Sequence, residues 1–249
     1  MDAIGIIPAR YSSTRFEGKV LADIMGKPMI QHVWERAKKA LSLDDVFIAC
    51  DDERVERVAK EFGAKVIATA KAHASGTDRI CEVINPLDVK VVVNIQGDEP
   101  FMHPSMIDSI AQALLKDASF PVATIMKKIE DPAWVDDPHV VKVVVDKNNF
   151  ALYFSRAGIP YRAINADIEH PVYYKHIGLY GYTKDFLFTF KNLPESSLEK
   201  TEKLEQLRIL EAGFRIKVFE TNYDTIGVDT PQDLEKARAF MRDLQDKII

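Results

Sequence analysis

Cysteine is scarce in this chain, with only Cys50 and Cys81 among 249 residues. No paired spacing suits a bound metal, and both sit among apolar neighbours, which reads as two core thiols of a reducing compartment. Long hydrophobic runs are absent too: none approaches the roughly 20 residues that span a bilayer. The first residues lack a basic region followed by a long apolar stretch and a small-residue cleavage site. The expectation is therefore a cytoplasmic enzyme without membrane contact. Basic charge is not in excess, since 33 Lys and Arg face 38 Asp and Glu for a net charge of −5. That balance leaves no general footprint for nucleic acid, although a local cluster of Arg and Lys can still hold a small anion. The 6 histidines form no zinc pattern. A Gly-x-Ser-x-Gly elbow is missing, which argues against a hydrolase triad.

What is present is an ordinary globular balance, 47% hydrophobic and 29% charged. The length suits one α/β domain able to bury a core without staples. Ala3 to Ala9 is a short apolar run that reads as a buried strand. A helix is expected from about Met29 to Leu41, with Ile30, Val33, Ala37 and Leu41 at helical spacing. Val46–Cys50, Lys65–Ile67 and Val91–Ile95 read as further strands. Asp52 is placed to cap a helix near Glu53 to Phe62, and Ser75-Gly76-Thr77-Asp78 leads into another through Val83. Strands alternating with helices imply right-handed βαβ units, a mostly parallel central sheet flanked by helices, and ligands beyond the strands' carboxyl ends.

The second half changes character. Val140–Val145, Ala151–Phe154 and Tyr173–Tyr182 are strand-like with few helices between them, so an antiparallel extension or dimer arm is expected around residues 135–185. A helix from about Lys203 to Ala212, a strand over Arg215–Glu220 and a closing helix capped by Thr230, with Pro231 in its first turn, complete the reading. His139 and His170 each neighbour a proline and read as surface loop residues. No internal repeat or linker divides the chain, so one domain over residues 1–249 is expected.

Four groups of residues carry chemistry. Pro8 to Lys19 places Arg10, Arg15 and Lys19, with the hydroxyls of Ser12, Ser13 and Thr14, directly after the first strand. Such a loop can wrap a polyphosphate, though it lacks the glycine spacing of a Walker loop; a solvated basic loop is the plainer alternative. In Asn94-Ile95-Gln96-Gly97-Asp98-Glu99-Pro100 a carboxylate follows a buried strand beside a flexible glycine. That suits Mg²⁺, which takes one or two protein carboxylates and completes its octahedron with phosphate and water; a turn or capping role for Asp98 is the alternative. Asp229 in Gly227-Val228-Asp229-Thr230 is a second such carboxylate, with helix capping equally open. The run His73-Ala74-Ser75-Gly76-Thr77-Asp78-Arg79 has small residues that permit close approach to a flat base, or simply start a helix.

Taken together these groups resemble the 3-deoxy-manno-octulosonate (Kdo) cytidylyltransferases. The likeness runs nearly end to end and includes Pro-Ala-Arg-Tyr-x-Ser-Thr-Arg, Gly-Lys-Pro-Met-Ile, Gln-Gly-Asp-Glu-Pro, Val-Val-Lys-Val-Val, Ala-Leu-Tyr-Phe-Ser-Arg, Lys-His-Ile-Gly-Leu-Tyr, Leu-Glu-Gln-Leu-Arg and Gly-Val-Asp-Thr. Each run is weak alone, and their order and spacing are specific. The resemblance implies a nucleotidyltransferase fold of glycosyltransferase-A type, usually a homodimer, that converts CTP and an acidic eight-carbon sugar to CMP-Kdo and pyrophosphate for lipopolysaccharide synthesis. It implies CTP contacts from Pro8, Ala9, Arg10, Ser13, Arg15 and Lys19, and a base frame from Asp51, Ser75 and Gly76. Arg79 and Gln96 would sit near nucleotide and sugar, and Asp98 and Asp229 would hold Mg²⁺. Lys19, Asp98, Arg10 and Asp229 form the implied catalytic set. The sugar pocket would use Gln96, His176, Tyr180, Glu205 and Gln206, with the sugar carboxylate on Arg156 or Arg162.

The chain departs from the family pattern at Glu17, commonly Pro, and at Cys50, commonly Thr. It also departs at Ser155-Arg156-Ala157-Gly158-Ile159-Pro160, after which Arg162 comes one residue early. An 8-amino analogue of Kdo and sialate are alternative sugars. A non-catalytic nucleotide-sugar binding protein is the alternative from another class.

Overall fold

A computed structural model describes residues 1–13, 15–73, 75–163 and 171–246, with side chains through 243. Thr14, Ala74 and His170 lie outside the described residues, and His139 is exposed. The chain opens with β1 (Ala3–Ala9), a 3₁₀ turn (Lys19–Leu21), the small hairpin β2 (Asp23–Ile24) and β3 (Lys27–Pro28), and α1 (Met29–Ala37). Next come β4 (Asp45–Cys50), α2 (Glu53–Glu61), β5 (Lys65–Ala68), α3 (Gly76–Ile84), β6 (Val91–Asn94), α4 (Pro104–Lys116) and β7 (Val122–Lys128). The remainder is α5 (Ala133–Asp136), β8 (Lys142–Val145), β9 (Ala151–Ser155), β10 (Tyr174–Thr183), α6 (Lys184–Asn192), α7 (Ser197–Glu202), α8 (Leu207–Glu211), β11 (Ile216–Glu220) and α9 (Pro231–Asp246).

The main sheet runs β11-β7-β10-β6-β1-β4-β5. Neighbours β1, β4, β5 and β6 are parallel, as are β7 and β11. The antiparallel strands expected in the second half are present, but β10 is no peripheral addition. It lies in the middle of the sheet, antiparallel to both β6 and β7, and β8 and β9 branch from it as a hairpin.

Period-2 alternation explains the two cores. On β1, Ala3, Ile7 and Ala9 face one layer while Ile4 and Ile6 face the other. The first layer is closed by Ile30 and Val33 of α1, Val55 of α2, and Ile107, Ile110 and Leu114 of α4. The second is closed by Ile80 and Ile84 of α3, Phe186 and Phe190 of α6, and Leu207 of α8. A smaller cluster joins Phe101 and Val228 to Leu234 and Ala237 of α9, tying the end of the chain to the segment after β6.

Local signals held at several termini. The Asp52 side chain accepts from Arg54 N and caps α2. Ser75 and Asp78 form a reciprocal capping box on α3. The Thr230 hydroxyl accepts from Asp233 N at the start of α9. The helix expected over Lys203–Ala212 is corrected: Lys203 adopts left-handed backbone (φ 56°, ψ 46°) and ends α7, and only Leu207–Glu211 is helical beyond it. Ser196 and Glu199 box the start of α7, so capping moved the helix upstream of where apolar spacing put it.

Candidate active site

Strands β1, β4 and β6 run in parallel, so their carboxyl ends share one edge of the sheet. Arg10 leaves β1 there, Asp51 follows β4, and Gln96 and Asp98 follow β6. Two glycines shape this edge. Gly18 has φ 68° and its N–H donates to the Tyr11 carbonyl at 2.8 Å, closing the basic loop. A Cβ on Gly97 would meet the Pro8 carbonyl at 2.9 Å, so only glycine lets the Asp98 turn lie this close to β1.

At the centre is Lys19. Its Nζ donates to Asp98 Oδ2 at 2.6 Å and to Asp229 Oδ1 at 2.7 Å, joining segments 79 and 210 residues away. Arg15 reaches the other oxygen of Asp229, Oδ2, at 3.0 Å. A backbone bond from Val228 N to the Asp98 carbonyl (2.9 Å) stitches the two carboxylate loops together. Burial works against the Lys19 charge, yet the carboxylates of Asp98 and Asp229 outweigh it and raise its pKa. Burial, reinforced by Asp98 next to it, lifts the Glu99 carboxyl to about 7. Sequence reasoning quoted Glu99 but gave it no part.

The other residues expected around a nucleotide divide into two groups. Arg10 Nη2 donates to the His73 carbonyl at 2.9 Å, fixing the basic loop to the segment before α3. Pro8 packs against Gly76, Ala9 is buried, and Ser13 is half-buried in the loop. Glu17 is exposed. Ser75 is engaged in its capping box. Arg79 and Asp51 turn to each other: Arg79 is fully buried, its Nη2 donating to Asp51 Oδ2 at 2.6 Å and its Nη1 to the Thr69 hydroxyl. Arg79 therefore positions the end of β4 and presents no surface to a ligand. Tyr11 carries the Arg54 guanidinium 3.3 Å above its ring.

The residues expected around a sugar do converge. A cavity of about 210 Å³ is lined by Gln96, His176, Tyr180, Glu205 and Gln206, along with Asn94. The pairing Tyr180↔Asn94 between β10 and β6 puts Tyr180 at the carboxyl end of β6. Two buried polar atoms of this cavity, the Tyr180 hydroxyl and Gln206 Nε2, have no hydrogen-bond partner among the described residues. Buried polar atoms are nearly always paired, so both are suited to bonding a hydroxylated ligand or water. Burial holds the His176 imidazole neutral, with its pKa pulled to about 3. The Thr124 hydroxyl donates to the Leu179 carbonyl at 2.8 Å and lies 3.0 Å from His176 Nε2. With that hydroxyl proton committed, Nε2 carries the imidazole proton and Nδ1 is an acceptor. Burial raises the Glu205 carboxyl, which accepts from the Thr77 hydroxyl at 3.2 Å. Thr77 and Thr124 were missed from sequence. Thr77 stood inside a motif already singled out, whereas nothing marked Thr124.

Arg156 and Arg162 are not among the residues that line this cavity. Arg156 Nε donates to the Glu202 carbonyl at 2.8 Å and its Nη1 to the Pro138 carbonyl at 2.9 Å. Arg162 is exposed.

The sequence profile of the cytidylyltransferase family matches residues 4–218. A 3-deoxy-manno-octulosonate cytidylyltransferase of Solibacter usitatus is 52% identical over 96% of this chain and 94% of its own. The chain belongs to the 3-deoxy-manno-octulosonate cytidylyltransferase family. A second cytidylyltransferase of that description, from Syntrophotalea carbinolica, is 48% identical over 98% of this chain and all of its own (100%). A solved structure described as CMP:2-keto-3-deoxy-manno-octonic acid synthetase complexed with CTP superposes with a TM-score of 0.92. It is 45% identical and covers 98% of this chain and 99% of that one. The α/β nucleotidyltransferase fold expected from the sequence is thus the fold of this cytidylyltransferase. No described helix is long and apolar enough to cross a membrane.

Proposed function

We propose that the chain transfers CMP from CTP to the anomeric hydroxyl of 3-deoxy-D-manno-octulosonate, giving CMP-Kdo and pyrophosphate for lipopolysaccharide assembly. The observation that carries this reading is the cluster in which Lys19 bridges Asp98 and Asp229 at the carboxyl edge of the sheet, beside a sugar-sized cavity with unpartnered polar atoms.

In this reading Arg10, Arg15 and Lys19 bind the triphosphate, offsetting charge that would otherwise repel an acidic sugar. The sugar hydroxyl oxygen attacks the α-phosphorus and gives up its proton to solvent, the bond to the oxygen bridging toward the β-phosphate breaks, and its electron pair leaves with pyrophosphate. Positioning and charge neutralisation do most of the work. Asp98 and Asp229 would hold Mg²⁺. The donors fit: both are hard carboxylate oxygens that already bracket one cationic nitrogen. No third His, Cys, Asp or Glu joins them among the described residues, which leaves the remaining positions to phosphate and water. When bound, the ion supplies Lewis-acid charge at the phosphate oxygens.

His176 is too weakly basic to take the hydroxyl proton, and serves this reading as a neutral hydrogen-bonding wall. Gln96, Tyr180, Glu205 and Gln206 would order the sugar hydroxyls. Arg156 already uses Nε and Nη1 on backbone carbonyls, so Arg162 offers the more complete fork for the sugar carboxylate. The exposed apolar residues Leu152, Tyr161 and Val172 support a homodimer formed through the 135–185 segment. The buried free thiols support a cytoplasmic setting.

The test is pyrophosphate release, expected only with CTP, Mg²⁺ and Kdo together. Release with 8-amino-Kdo or sialate, but not Kdo, would reassign the sugar. Silence with every sugar would favour a binding protein.

A further inference from the structure

A second cavity, about 430 Å³ in volume, lies between α1, the β2–β3 hairpin and the start of α4. It shares no lining residue with the sugar cavity, and Lys19, Asp98 and Asp229 are not part of it. Its size falls within the range of small-molecule pockets. Three cationic side chains, Lys27, Arg36 and Lys39, line it against a single carboxylate, Glu35.

That carboxylate is already committed. Glu35 accepts from Lys27 Nζ at 2.8 and 2.9 Å and from Gln31 Nε2 at 2.8 Å. Arg36 and Lys39 make no side-chain hydrogen bond or ion pair among the described residues; the Arg36 guanidinium lies over the Phe101 ring, 5.8 Å from its centroid. Of the remaining walls, His32 donates Nε2 to the Ile24 carbonyl at 2.8 Å, which leaves its Nδ1 an acceptor, and His103 adds a donor. His103 Nδ1 accepts from Ser105 N at 3.3 Å, capping α4, so the ring proton sits on Nε2. The ring is locked in place by stacking on Tyr223, at 3.5 Å and 3°. Burial depresses the Arg36 pKa, and burial together with Arg36 depresses that of His103. Arg36 and Lys39 bring positive charge here that no carboxylate among the described residues answers. The start of a 13-residue helix adds a field of the same sign.

We propose that this cavity binds a phosphate group, as inorganic phosphate or a small phosphomonoester, with Arg36 and Lys39 as its charge partners and His103 Nε2 as a donor. A guanidinium fork suits phosphate oxygens. Met25 and Met241 on the wall leave apolar room for an organic remainder.

The probe is inorganic phosphate, titrated at constant ionic strength into protein saturated with CTP and without sugar, so that the nucleotide loop is filled. Calorimetry is expected to show one saturable site. Arg36→Met should weaken it at least tenfold, and Lys39→Met several-fold. Arg36→Lys should recover part of the loss, because it restores charge without the fork. Lys39 is exposed, so its variant keeps the test alive if Arg36→Met fails to fold. Pyrophosphate release by the Lys39 variant should be unchanged. No saturable binding to the unmodified protein, or equal binding by both methionine variants, overturns the proposal.

Discussion

At the proposed phosphate end of the candidate active site Lys19, Arg15, Asp98 and Asp229 pair with one another, whereas at the sugar end two buried polar atoms have no partner among the described residues. Lys19 joins Asp98 and Asp229, and Arg15 takes the outer oxygen of Asp229. Across the edge of β6, the Tyr180 hydroxyl and Gln206 Nε2 are buried and unpartnered. The difference suggests two modes of recognition. In the proposed reading the charged end is pre-organised, and a polyphosphate with its cation would exchange one set of ionic partners for another. At the sugar end each of the two atoms would bond a hydroxylated molecule and so discriminate against ligands that cannot satisfy it.

The largest effect that can break this contrast is at Asp98. Asp98→Ala is expected to lower turnover by roughly 10²–10³-fold or more, the scale of losing one transition-state electrostatic contact. Its melting temperature should stay close to that of the unmodified protein, because Asp98 is only half-buried and Asp229 still pairs with Lys19. Near-normal pyrophosphate release would refute the metal role.

Tyr180→Phe should act differently. Removing an unpaired buried hydroxyl relieves desolvation in the free protein, so stability should hold or rise. The KM for the sugar should increase about tenfold, the scale of one lost hydrogen bond, while the KM for CTP stays unchanged. A rise in the KM for CTP of equal size would show that the two ends are not separate.

The smallest effect is a pH dependence at His176. Its folded pKa, about 3, lies below the ordinary 6.5, so below pH 6.5 the unfolded chain binds a proton that the native one refuses. The resulting stability is fully present above pH 6.5 and is lost as pH falls toward 3. His176→Gln should flatten the fall in urea midpoint between pH 7 and pH 5. An unchanged slope would mean that the imidazole is not held neutral.

Much of this arrangement was legible in the sequence. The first four large strands, the caps at Asp52 and Thr230, the helix start at Ser75–Asp78, and the placement of Arg10, Asp51 and Asp98 at strand ends all followed from local pattern. What escaped depends on contacts distant in the chain. Nothing local brings Asp229 to Lys19, 210 residues away. Nothing in Tyr173–Tyr182 says that the strand enters the middle of a parallel sheet. The α4 helix was passed over although Met106, Ile107, Ile110 and Leu114 carry a helical stripe, and β7 went with it. Lys142 looks like a solvent-facing cation in a strand. It is fully buried, and its Nζ donates to the carbonyls of Asp137, Val140 and Arg156 at 2.8, 2.6 and 2.6 Å. Only tertiary structure supplies three carbonyls at one point.

The central claim is that Asp98 and Asp229 together hold the cation that accompanies CTP. Mn²⁺ titrated into the CTP-bound protein and followed by electron paramagnetic resonance tests it without requiring turnover. A tight site is expected in the unmodified protein, weakened by about tenfold or more in both Asp98→Ala and Asp229→Ala, because Mn²⁺ shares the oxygen preference of Mg²⁺. Mn²⁺ affinity unchanged in both variants would contradict the account.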